Sequence, residues 1–157
     1  ILLGSDLEDT KEPSTGWIAI LDSPGRPSDK ASVFKVAHHG SVTAYQPRVW
    51  SEMLVSQTFA TLTPFIRGKT VLPTKADAKR TCGHTANSFS TADTKTRETR
   101  GRSNVVIKTI RETVRSIKEV PTSSGVVRLR KMASDPAEAA WAATLFGTAV
   151  PLKNLCA

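Results

Sequence analysis

The chain has 157 residues, 39% of them hydrophobic, with 22 Lys+Arg against 14 Asp+Glu and a net charge of +8. That length supports one domain with a real core, no apolar run approaches membrane-spanning length, and no signal peptide is visible. The basic balance favours polyanionic partners such as nucleic acid. Two cysteines, Cys82 and Cys156, stand in no metal or redox spacing, so a disulfide framework is not expected and a cytoplasmic setting is.

Taken in order, Ile1-Leu2-Leu3-Gly4 reads as a short buried strand that runs out into Ser5, Asp6 and Glu8. Because the chain opens on Ile inside a core strand, it is expected to be part of a longer fold. A loop with Pro13 follows, then a short apolar element at Trp17–Leu21 whose length leaves strand and helical turn both open. Pro24, Gly25 and Pro27 mark a surface loop. From Ser32 an alternating run, Val33, (Phe34), Val36, ends in His38-His39-Gly40-Ser41. This is a strand whose C-terminal edge delivers imidazoles to a turn, where Gly40 lets the backbone bend sharply.

Pro47 opens an expected helix over residues 47–57, with Trp50, Met53 and Leu54 on one face. Residues 59–65 read as a buried strand stopped by Pro64. Thr74 is placed to cap a short helix through about Cys82. Residues 83–103 form the most open and basic segment, carrying Lys95, Arg97, Arg100 and Arg102, and are expected as an exposed loop or lid. Ile107, Ile110, Val114 and Ile117 give a helical stripe over residues 104–120, although its β-branched residues weaken it. Residues 125–131 and 141–147 are expected to close the chain as a hairpin.

Two strand ends, one offering Asp6 and the other His38 and His39, carry the donor types that zinc takes. On residues alone, Asp6 is also a strand-end cap and the histidine pair also a surface turn. Ser41 reads equally as a substrate donor or a turn cap, Glu8 as a carboxylate backing a ligand or, in preference, as solvated, His84 as a loop histidine, and Trp17, Trp50 and Trp141 as core.

Leu-Leu-Gly-Ser-Asp-Leu-Glu, followed about thirty residues later by Phe-Lys-Val-Ala-His-His-Gly-Ser, resembles the metallo-β-lactamase-fold hydrolases. The branch it looks like is that of bacterial DNA-uptake (competence) proteins and their stand-alone relatives. By motif the resemblance covers roughly the first 75 residues. It implies an α/β fold, an αββα sandwich, here as its C-terminal portion. It also implies a centre of two divalent metal ions, zinc first and manganese second. Asp6 would be the bridging carboxylate, and His38 or His39 the later ligand. Alternation along a strand would let only one of the two histidines reach the metal.

In such a site two metals lower the pKa of a shared water, and the hydroxide attacks a phosphodiester or nucleic-acid substrate. Ser41, Lys95 and Arg97 would then contact that substrate. The family's His-x-His-x-Asp-His cluster has no counterpart here, since the only histidines are His38, His39 and His84. Its ligands must come from an N-terminal half or a second copy, and without them the chain is expected to self-associate. The alternative is a non-catalytic nucleic-acid-binding module with a degenerate metal site.

Overall fold

The computed structural model describes residues 1–67, 69–94, 103–113, 124–136 and 139–156. The chain is a mixed α/β protein built on a mostly parallel sheet. Its elements in order are β1 (Leu2–Leu3), α1 (Gly16–Leu21), β2 (Ala31–Lys35), β3 (Leu54–Leu62), β4 (Phe65–Arg67), β5 (Thr70–Leu72), α2 (Lys75–His84), β6 (Ser88–Ser90), α3 (Asn104–Thr113), β7 (Val126–Arg130), β8 (Ala142–Phe146) and β9 (Val150–Pro151).

The central sheet has the order β1-β2-β3-β6-β9. The first four strands run parallel, with Leu2 opposite Phe34, Phe34 opposite Ala60 and Ala60 opposite Ser88, and β9 closes the far side antiparallel to β6. Parallel neighbours need crossover connections. The crossovers here run through α1, then through short helical turns at Ala37–Gly40, Val42–Ala44 and Val49–Met53, then through the β4–β5 hairpin and α2.

The short element after residue 15 resolves as a helix because Trp17 and Leu21, four residues apart, point the same way into the core. The Trp17 indole N–H donates to the carbonyl of Ala44 at 3.0 Å, so its one polar atom is satisfied where the side chain is buried. Phe34 sits edge-on between Trp17 and Trp50, at centroid distances of 6.2 and 5.4 Å. Leu62 of β3 and Leu152 of the C-terminal turn are fully enclosed, a burial that contributes roughly 1.5–3 kcal/mol for each side chain.

Several sequence expectations need correction. The helix expected over 47–57 does open at Pro47 but ends at Met53, its last turn being Val49–Met53, because Leu54 already pairs with Ala31 and starts β3. The strand expected over 59–65 therefore runs Leu54–Leu62, and Phe65 opens a separate hairpin. The open segment from residue 83 contains β6, a sheet strand whose Ser88 and Ser90 are buried. Helix α2 runs two residues further than expected, to His84, so this histidine is helical and not in a loop. The capping role of Thr74 holds: its hydroxyl accepts from the Asp77 N–H while Asp77 accepts from the Thr74 N–H. Helix α3 covers the first part of the expected 104–120 span, and residues 114–120 lie outside the described ones. The terminal hairpin is present as β7 paired antiparallel with β8.

Among the described residues no helix is long and apolar enough to cross a membrane.

Candidate functional site at the carboxyl edge of the parallel sheet

Because β1, β2 and β3 run parallel, their C-terminal ends open on one edge, the usual place for ligands in such sheets. β1 leads into Ser5, Asp6 and Glu8; β2 leads into His38 and His39; β3 leads into Thr63. The first two ends are tied together, since the Gly4 N–H donates to Lys35 O at 2.9 Å and the His38 N–H to Ser5 O at 2.8 Å. They touch so closely that a Cβ on Gly4 would fall 2.7 Å from the Ala37 backbone.

The two histidines are not in extended backbone. His38 (φ 44°, ψ 50°) and His39 (φ 57°, ψ 18°) are consecutive left-handed residues, followed by Gly40 at φ 82°. Alternation along a strand therefore does not govern where they point, which corrects the expectation that it would separate them. Non-glycine residues pay about 1–2 kcal/mol each for this conformation. Such strain, held in place by the surrounding structure, concentrates at functional sites. The rings lie 6.0 Å apart at 82° to one another.

The two rings have different polar neighbours. His39 Nδ1 is 2.7 Å from Thr63 O. A carbonyl can only accept, so Nδ1 carries the proton and, in the neutral ring, Nε2 keeps its lone pair. The His39 ring also rests against Phe65, with centroids 5.2 Å apart. His38 Nδ1 is 3.1 Å from Glu8 Oε1. The two are off-line for a hydrogen bond, and the buried nitrogen has no other partner among the described residues. Glu8 is itself held, because the Thr43 hydroxyl donates to Oε1 at 2.9 Å. Glu8 is thus anchored beside an imidazole, not simply solvated.

Asp6 is exposed at the end of β1. Its charge reaches Lys35, whose ammonium is driven below the ordinary lysine range by burial, with the Asp6 carboxylate partly offsetting that shift. Ser41 is buried, and its hydroxyl accepts from the Thr43 N–H at 3.3 Å, so of its two readings the structure displays the turn cap. Lys95 and Arg97 lie outside the described residues.

A second cluster flanks this edge. The His84 ring stacks on Trp50 at 4.4 Å and 8°, and its Nε2 is 2.9 Å from the Tyr45 hydroxyl. The Arg80 guanidinium lies over the Tyr45 ring at 4.9 Å. Trp50 is therefore half-buried with one face on a histidine, whereas Trp17 is core as expected. Trp141, also half-buried, donates its indole N–H to Ser32 Oγ at 3.0 Å.

The donors on this edge are of the right chemical kind for zinc or manganese, and a buried, unpartnered imidazole nitrogen fits a place where ligand geometry is prepared. They do not make a complete centre: among the described residues no three His, Cys, Asp or Glu side chains converge where a metal ion could sit. Sequence alone does not single out Thr43 and Lys35, and Glu8 reads there as a residue backing a ligand but, in preference, as solvated. The signal available for Glu8 was its position two residues beyond Asp6, on the same strand exit.

No family model, curated protein or solved structure matches this chain.

Proposed function

We propose that this chain carries part of a metal-dependent hydrolase of the metallo-β-lactamase fold, an αββα sandwich acting on phosphodiesters or nucleic acid. The observation that carries the reading is the strained His38-His39-Gly40 turn at the carboxyl edge of the parallel sheet, bonded directly to the strand end that bears Asp6. Asp6 and one histidine are the donors this chain would give to two divalent ions. Glu8, held by Thr43, stands 3.1 Å from His38 Nδ1, where it would orient that ring once a metal is bound. On this reading the remaining donors would have to come from an N-terminal half or from a second copy of the chain.

A second reading, a nucleic-acid-binding module without catalysis, is favoured by the net charge of +8. Elemental analysis of this chain, and of the longest native polypeptide containing it, separates the two. About two zinc or manganese ions per long chain, lost in Asp6→Ala, is the outcome expected of the hydrolase. No metal in either form would sink it, and salt-dependent binding to DNA would then support the second reading.

A further inference from the structure

Cys82 and Cys156 are 74 positions apart in the chain, yet their sulfurs lie 3.3 Å from one another. Cys82 sits in the last turn of α2, with its sulfur 3.6 Å from Ser88 Oγ of β6. Cys156 follows the C-terminal helical turn Leu152–Leu155, whose Leu152 and Leu155 are buried in the core. That turn brings Cys156 back against α2. Both thiols are free and half-buried, so a small reagent can reach them while the fold holds them together.

From this geometry we propose that Cys82 and Cys156 form a reversible intramolecular disulfide that fastens the C-terminal turn to helix α2. Each sulfur need move only a fraction of an ångström, since a disulfide spans about 2.05 Å. The oxidant is a low-molecular-weight disulfide of the glutathione class. Burial, followed by the hydrogen bond to Cys82, pushes the Cys156 thiol up to about 11, so Cys156 keeps its proton and Cys82 supplies the first attacking sulfur.

The Cys82 thiolate displaces one small thiolate and forms a mixed disulfide. Cys156 then gives up its proton to solvent and attacks the Cys82 sulfur, expelling the second small thiolate. The protein loses two protons and two electrons, and the oxidant gains the two electrons as its sulfur–sulfur bond is cleaved.

The link would act on more than the chain end. Thr85, just past α2, donates its hydroxyl to Thr58 O of β3 at 2.7 Å, and the same helix presents Arg80 and His84 to Tyr45. Oxidation therefore stiffens the helix that carries the cluster beside the candidate site, independently of whether that site holds metal.

The test equilibrates the whole chain in glutathione buffers of graded poise, quenches with acid, alkylates and measures intact mass. The expected result is a monomer that loses both alkylatable thiols together, is lighter by two hydrogens, and yields a Cys82–Cys156 linked peptide on non-reducing digestion. Its melting temperature should rise on the order of 5–15 °C over the reduced form. Cys82→Ser and Cys156→Ser should match the reduced chain in circular dichroism and show no such rise. Independent glutathionylation of the two thiols, a disulfide between chains, or oxidation with no thermal gain over the serine variants would each overturn the proposal.

Discussion

Glu8 and His38 leave different strands, and their Oε1 and Nδ1 atoms meet at 3.1 Å without the alignment of a hydrogen bond. A carboxylate pinned by a threonine beside a buried imidazole nitrogen costs desolvation and gains little unless the imidazole is needed in one orientation. On the hydrolase reading, Glu8→Gln should lower metal affinity about 10–100-fold while shifting folding stability by no more than about 0.5 kcal/mol. Thr43→Val, which removes one anchor of the carboxylate, should move affinity the same way by less. Calorimetric titration of the metal-binding form measures both, and unchanged affinity in Glu8→Gln would reduce the pair to a surface contact.

The turn that presents the histidines depends on Gly40. At φ 82° an alanine is strained, and its Cβ would stand 3.2 Å from Cδ2 of Leu62, a fully enclosed side chain that would have to shift by a few tenths of an ångström. Gly40→Ala should destabilise the protein by about 1–2 kcal/mol, and it should abolish whatever the histidine turn binds. Urea denaturation checks the first part. A stability loss with binding intact would show that the turn tolerates rearrangement and that its left-handed geometry is not what presents the rings.

Much of this edge could be read from sequence because its elements are local: an apolar strand, two histidines and a glycine are adjacent residues. What was lost was lost for physical reasons. Trp50, Met53 and Leu54 have helical spacing, but sheet pairing takes over at Leu54, and tertiary pairing outweighs local periodicity. β6 reverses the usual pattern, burying Ser88 and Ser90 and leaving Phe89 half-exposed. Ser90 can be buried because its hydroxyl donates to Ala92 O at 2.7 Å, a contact that hydropathy does not report. The pairing of Cys82 with Cys156 is invisible for another reason: only the completed fold brings the C-terminal turn to α2.

Lys35 carries a conflict between stability and use. Burial holds its ammonium below the ordinary lysine range even with Asp6 nearby, so the native state bears the cost of a half-buried charge. Lys35→Met should raise the denaturation midpoint, equivalent to about 0.5–2 kcal/mol, if the lysine is kept for function and not for folding. The same variant should weaken binding of a phosphodiester analogue. A variant that is destabilised instead would mark Lys35 as a structural partner of Asp6.

Helix α2 is set by its first turn. Asp77 is 3% exposed, and its carboxylate accepts from the Thr74 N–H at 2.9 Å, the Thr74 hydroxyl at 2.6 Å and the Arg80 guanidinium at 2.6 Å. Asp77→Ala should cost about 2–3 kcal/mol, combining a lost cap with an unpaired arginine. Asp77→Asn should cost less, because an amide oxygen still accepts from the Thr74 N–H. Equilibrium unfolding of the two variants supplies the comparison, and equal losses would mean that charge, not the cap, dominates.

The stacked His84 gives the fold a pH dependence with a defined sign. Burial against Trp50 and Tyr45, and then the Arg80 charge one helical turn earlier, hold its imidazole below the ordinary histidine value of 6.5. The unfolded chain therefore binds a proton here more readily than the native one, so this contribution is fully present above pH 6.5 and fades as pH falls from there through the depressed native value. In the protonated ring both nitrogens are donors, so Nε2, 2.9 Å from the Tyr45 hydroxyl, can then only donate to that oxygen. His84→Phe keeps a flat ring on Trp50 but cannot titrate. Between pH 7 and 5 its stability should fall less steeply than that of the unaltered chain, with carboxylate contributions common to both. Parallel pH profiles from urea titrations would show that the His84 ring is already solvated in the native state, and the stacked cluster would then have no part in the acid response.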